Sequence, residues 1–190
     1  DSKDEVEKIG IVEDDRLVEF YIGEKKIKKL VGNIYRGKVV NVLQGMEAAF
    51  VDIGEGKNAY LYVKYALPRE LMYKNLPLRI NDVIKNGDDI IVQVIKEPSE
   101  NKGAKITTHI TLPGRFLVLT PYSNKINISK KIDEEDEIKR LQEIGKKIQK
   151  ENIGVIFRTK ALGVEKELLA EEYNILISIF KKIEREKNFL

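Results

Sequence analysis

Residues Glu47 to Tyr65 read "EAAFVDIGEGKNAYLYVKY" and carry a period of two on both sides of a glycine turn. Ala49, Val51 and Ile53 fall on one side; Ala48, Phe50 and Asp52 fall on the other. After the turn at Gly54 to Asn58, Ala59, Leu61 and Val63 share a face, and Tyr60, Tyr62 and Lys64 share the opposite one. Side chains alternate across a strand, so this pattern predicts a hairpin with one small, wholly apolar face turned to a core. Its other face mixes aromatic rings with charge.

The flanking segments supply partners for the hairpin. "NIYRGKVVNVL" before it is a predicted strand, and "DIIVQVIKEP" and "AKITTHITL" after it are two more. A Pro-interrupted stretch from Leu67 to Asp89 separates the third strand from the fourth and reads as loop with a short helix. Five strands with that insert are the pattern of an OB-fold barrel, placed at 33–110. Residues 1–32 read as short strands, "KIGIV", "RLVEFYIG" and "KKIKKLVG", with a turn at Glu13 to Asp15; they are too few to form a core alone.

From 111 to 190 the pattern becomes β-β-α-β-α. "RFLVLTP" and "NKINISKKI" are strand-like. "DEEDEIKRLQEIGKKIQKE" is a helix with acids in its first turn, lysines at its end and a stripe of Ile138, Leu141, Ile144 and Ile148. "IGVIFRTK" is a buried strand, and a last helix sets Leu169, Tyr173, Leu176, Phe180 and Ile183 on one side. The expected class is α+β: N-terminal strands, a five-stranded barrel, then an α+β module.

Composition narrows the chemistry. There is no cysteine, which removes disulfides, thiol nucleophiles and cysteine metal sites and agrees with a reducing, cytoplasmic setting. Hydrophobic residues are 42% of the chain, enough for a core. The apolar runs, such as "FLVLT" and "ILISIF", are too short to span a bilayer. Net charge is +3, which alone does not mark a nucleic-acid binder. His109 has no companion His or Cys and reads as structural. "DEEDE" at Asp133 to Glu137 reads as a solvated helix start, not a metal site. The barrel hairpin allows two readings. Phe50 and Tyr60 form a stacking platform for bases, with Lys64, Arg36 and Lys38 nearby for phosphates, or they pack under the insert.

The words themselves match a family. "NIYRGKVVNVLQGMEAAFVDIGEGKNAYLYV", then "VQVIKEPSENKGAKITTHITLPGRFLVLTP", then "RT" before a helix, resemble the N-terminal half of the bacterial RNase E/G endoribonucleases. The resemblance runs from about Lys8 to about Lys182. It implies that the barrel is an S1-type RNA-binding domain whose RNA face is Phe50, Tyr60 and Lys102; the family often has Phe where Tyr60 stands. It implies that residues 111–190 are a 5′-sensor for RNA ending in a monophosphate. Arg158 and Thr159 match its phosphate-binding pair, and Gly114 and Val118 match positions whose backbone lines the pocket. After "RT" this chain has "KALGVEKE" in place of the usual small, Gly-rich run.

The resemblance also implies what lies elsewhere. Residues 1–32 resemble a fragment of an RNase H-like domain. The family's nuclease domain, with two aspartates for magnesium and a cysteine pair binding zinc between subunits, follows the sensor and is expected to be missing here. The chain is then expected to need no cofactor and to have no catalytic residue of its own. It is expected to bind single-stranded RNA without cutting it, as part of a longer, homo-oligomeric endoribonuclease acting in RNA processing and decay. A free-standing RNA-binding adaptor is the alternative. The chain starts at Asp1 without methionine, so residues upstream are expected.

Overall fold

The structure is a computed structural model, and it describes residues 6–13, 16–24, 29–66 and 79–187. Strands β1 (Val6–Glu13) and β2 (Arg16–Glu24) form an antiparallel ladder of their own, from Val6 opposite Glu24 to Glu13 opposite Arg16. Most of the predicted turn, at 14–15, and half of the predicted third strand, at 25–28, lie outside the described residues. The other half is not strand. Lys29 to Gly32 run as an irregular segment and turn, the Leu30 and Val31 amides donating to the Glu97 carboxylate at 2.9–3.1 Å. Leu30 enters the barrel core.

The barrel is closed. β3 (Ile34–Leu43), β4 (Ala48–Asp52), β5 (Ala59–Tyr62), β6 (Asp89–Lys96) and β7 (Lys105–Thr107) are ordered β3-β4-β5-β7-β6, with β6 pairing back on β3. β5 and β7 run parallel while the other pairs are antiparallel. That is the OB-fold order. The alternation read from the sequence sets the interior: Ala49, Val51, Ala59, Leu61, Val92 and Ile106 are fully buried. Gly37 permits close packing, since a Cβ there would stand 2.5 Å from the Val51 side chain.

The structure corrects two extents. Strand β5 ends at Tyr62, and Val63–Ala66 form a helical turn, α1. "AKITTHITL" is not one strand. β7 stops at Thr107, and the short β8 (Leu112–Pro113) belongs to the next sheet. The threonines explain the break. Thr107 and Thr108 hydroxyls both donate to the Tyr65 carbonyl at 3.1 Å, and the His109 amide donates to Thr107 Oγ1 at 3.0 Å. Such local side-chain bonds compete with the ladder and turn the chain. His109 therefore lies between strands. A single turn, α2 (Ile80–Val83), precedes β6; the Glu47 carboxylate accepts its Ile80 amide at 2.7 Å.

The second unit stacks a sheet on two helices. β8, β9 (Leu117–Pro121), β10 (Ile126–Ile128) and β11 (Ile153–Phe157) are ordered β10-β11-β9-β8. β10 and β11 are parallel, and α3 (Glu135–Ile148) is the crossover between them. α4 (Lys166–Lys187) follows. Leu117, Leu119, Leu141, Val155, Phe157, Leu169 and Tyr173 are fully buried between sheet and helices. Tyr173 keeps its hydroxyl satisfied there: it donates to the Ile153 carbonyl at 2.9 Å and accepts the Lys150 amide at 3.0 Å. Burial raises its pKa.

The two cores meet at β3 and β6, where Ile34 and Ile91 of the barrel pack against the second core. The buried Gln93 amide fastens this junction. It donates to the Gly32 and Thr111 carbonyls at 3.0 Å and accepts the Thr111 amide at 2.9 Å. A buried amide with its bonds filled orients the chain entering the second unit.

Candidate nucleic-acid interface

The mixed face of the hairpin is the outside of the barrel. In register, Asn41 on β3 stands opposite Phe50 on β4, Phe50 opposite Tyr60 on β5, and Tyr60 beside Lys105 on β7. Cross-strand partners share a face, so these four side chains make one row across four strands spaced about 4.8 Å apart. Phe50 and Tyr60 are both half-buried. Their ring centroids lie 6.2 Å apart with planes inclined at 65°. The Lys105 ammonium sits 4.4 Å above the Tyr65 ring centroid, a cation–π contact.

The cations named from the sequence are distributed differently. Lys64 is exposed on α1, beyond the end of β5. Arg36 pairs with Asp89 at 3.5 Å on the β6 side, and Lys38 stands opposite Asp52. Lys102 closes a tight turn with Ser99 and is exposed. That turn is pinned against the start of β5. The Lys57 ammonium donates to the Glu100 carbonyl, and a Cβ on Gly103 would collide with the Asn58 carbonyl oxygen. Two residues past Lys102, the Ala104 carbonyl accepts the Tyr60 amide at 2.8 Å. Lys102 thus lies at the Tyr60 end of the row, but Tyr60's cross-strand neighbour is Lys105. Sequence reading missed Lys105 and Asn41, which only the register reveals.

The second candidate site lies at the carboxyl end of β10 and β11. Both strands end on one side because they are parallel, and ligands gather at such ends. Arg158 follows β11 directly, and its amide donates to the Phe116 carbonyl at 2.7 Å. Its guanidinium donates to the Gly114 carbonyl at 2.5 Å. Thr159 and Ser129 hydroxyls are 3.1 Å apart. A cleft of about 410 Å3 opens here, lined by Ser129, Lys131, Ile156, Phe157, Arg158, Thr159 and Lys160. No carboxylate lines it. Three cations and two hydroxyls around open space suit an anion with several acceptor oxygens.

Gly114 and Arg158, separate in the sequence, are therefore in contact, and Thr159 adjoins them. Val118 sits on β9 between Pro113 and Ile156 in register, within the sheet that floors the cleft. Ser129 and Lys131 were not singled out from sequence; a serine beside lysines at a strand end was the available signal. Glu172 on α4 was missed too. Its carboxylate accepts the consecutive amides of Arg115, Phe116 and Leu117 at 2.6–2.9 Å. The "DEEDE" run opens α3. Glu137 there is held by Arg140 at 2.7 Å and also accepts the Gly163 amide. These bonds lower its pKa, Arg140 contributing most.

Comparison with known proteins finds relatives of this chain. Residues 111–189 match the model of the Ribonuclease E/G family. Relatives align with the barrel as well. Ribonuclease G of Escherichia coli (strain K12) and ribonuclease G of Salmonella typhimurium are each 37% identical over 187 residues, covering 95% of this chain and 38% of the relative. Ribonuclease E of a Nostoc species is 37% identical over 157 residues, covering 82% of this chain and 23% of the relative. The chain therefore spans about two fifths of the ribonuclease G relatives' length. Among the described residues, no helix is long and apolar enough to cross a membrane.

Proposed function

We propose that this chain is the RNA-binding and 5′-end-sensing part of a ribonuclease E/G-type endoribonuclease. The barrel row holds the strand and the sheet-end cleft holds its 5′-phosphate. The observation that carries the reading is the junction of Arg158 with Gly114 beside the Thr159–Ser129 hydroxyl pair, in a cleft walled by cations.

The chemistry follows from the donors. A monophosphate offers acceptor oxygens that Arg158, Thr159, Ser129 and Lys131 can share in a compact site. A 5′-hydroxyl leaves those donors unpaired. A triphosphate brings further charge and bulk to the same space. On the barrel, Phe50 and Tyr60 offer ring surface to unstacked bases, Lys105 and Lys102 supply cations at one end, and Asn41 offers an amide at the other.

Cleavage is proposed for the longer protein. Among the described residues no group of three His, Asp or Glu side chains stands close enough to hold a metal ion, and no step here runs through one. The test is to incubate the purified chain with single-stranded RNA and magnesium. It should bind the RNA and leave it whole; magnesium-dependent cleavage, or no binding at all, would sink the proposal.

A further inference from the structure

The row across the barrel does not end at a neighbouring strand. β3 pairs with β6 only from Ile34 to Lys38, whereas its pairing with β4 continues to Leu43. Past Lys38, the far side of β3 is taken by the loop before β6: the Gly87 amide donates to the Val39 carbonyl and the Val39 amide to the Asp88 carbonyl, both at 2.8 Å. Beyond that, next to Val42, whose side chain lies on the core side of β3, the chain leaves a second cleft of about 470 Å3, round the strand edge from the Asn41 face. It is lined by Val42, Gln44, Asn81, Ile84, Lys85 and Asn86.

The lining has a definite chemical character. Val42 and Ile84 give an apolar floor; Ile84 is buried and Val42 half-buried. Gln44, Asn81 and Asn86 give three amides, with Gln44 and Asn86 exposed. Each amide carries one carbonyl acceptor and two N–H donors. Lys85 is exposed at the rim, and no carboxylate lines the space. An apolar floor of Val42 and Ile84 with amide donors and acceptors in the same lining suits a nucleobase, whose faces are apolar and whose edges alternate donors and acceptors. Asn and Gln are the residues that read such edges in two-bond contacts. The strut from Glu47 to the Ile80 amide at 2.7 Å ties the β3–β4 turn to α2, so Gln44 and Asn81 are held on one framework.

We infer that this cleft is a base-reading subsite for single-stranded RNA. The strand crosses the barrel along Lys105, Tyr60, Phe50 and Asn41, and the next base enters the amide cleft. The inference rests on the proposed RNA-binding reading of the barrel. Stacking on Phe50 and Tyr60 tolerates any base, so sequence preference arises at Gln44, Asn81 and Asn86.

The test measures binding of short A, C and U homopolymers by fluorescence anisotropy at fixed salt. It compares the unmodified chain, Gln44→Ala, the double variant Asn81→Ala/Asn86→Ala, and Phe50→Ala. The unmodified chain should separate the strongest from the weakest homopolymer by about tenfold. The amide variants should shrink that spread to about twofold while leaving the weakest-bound RNA unchanged. Gln44 lies outside α2, so its variant reports even where the double variant unfolds the turn. Phe50→Ala should weaken all three RNAs and keep the spread. A spread that survives both amide variants, or a chain without any spread, overturns the subsite. Failure of Phe50→Ala to weaken any RNA overturns the barrel reading instead.

Discussion

The Glu172 carboxylate occupies the space into which a side chain at Gly114 would project. A Cβ on Gly114 would stand 2.6 Å from the Glu172 carboxyl carbon and 2.8 Å from both its oxygens. The same carboxylate takes three consecutive amides, two of the β8–β9 loop and the first of β9, and that loop's Gly114 carbonyl holds Arg158. One helix residue thus sets the loop that sets the arginine. Glu172→Gln removes the charge and replaces an acceptor oxygen with a donor. Stability should fall by about 1–3 kcal/mol, read from denaturant midpoints. The preference for a 5′-monophosphate should fall with it, while affinity for 5′-hydroxyl RNA stays constant.

Gly103→Ala tests the turn that carries Lys102. The new Cβ would meet main-chain oxygen, not the movable end of a side chain, so the turn must lift from β5. Overpacking of this kind costs about 1–3 kcal/mol or more. Thermal unfolding should register the loss, and amide exchange at Tyr60, bonded to Ala104, should accelerate.

The Glu137–Arg140 pair gives a pH dependence. The folded-state pKa of Glu137 lies below its ordinary value, mainly through the Arg140 hydrogen bonds. Its stabilisation is therefore full above the unfolded value and is lost as pH falls through the folded one. Glu137→Gln should cost about 1 kcal/mol near neutrality, discounted for the half-exposed arginine. The difference between the two proteins should vanish in acid, below the ordinary glutamate range.

Lys105→Ala and Phe50→Ala separate charge from stacking. Removing Phe50 should weaken RNA binding by about 1–3 kcal/mol at any salt. Removing Lys105 should lower the slope of log affinity against log salt by about 0.7 if it meets one phosphate. An unchanged slope would take Lys105 out of the interface.

The barrel was legible because period-two alternation is local: Ala49, Val51, Ala59 and Leu61 announce their buried face within one hairpin. The stripes of α3 and α4 were legible for the same reason at helical spacing. The break after Thr107 was not, since it depends on Thr107 and Thr108 reaching the distant Tyr65 carbonyl. Lys105 became Tyr60's neighbour through a parallel pairing that no local pattern encodes. Glu172 meets Arg115 across 57 positions, and one of two adjacent glutamates in a helix of mixed charge carries no mark of it. The family resemblance named Gly114, Val118, Arg158 and Thr159; the register and hydrogen bonds supply Ser129, Lys131 and Glu172 around them.

The most direct measurement is competition binding of one RNA sequence with a 5′-monophosphate, triphosphate or hydroxyl end, on the unmodified chain and on Arg158→Ala. The unmodified chain should favour the monophosphate by about tenfold, the worth of one charge-assisted pair of hydrogen bonds. Arg158→Ala should bind all three alike, at the level of the hydroxyl form. Equal binding of the three ends by the unmodified chain, or a monophosphate preference that survives Arg158→Ala, would contradict the account.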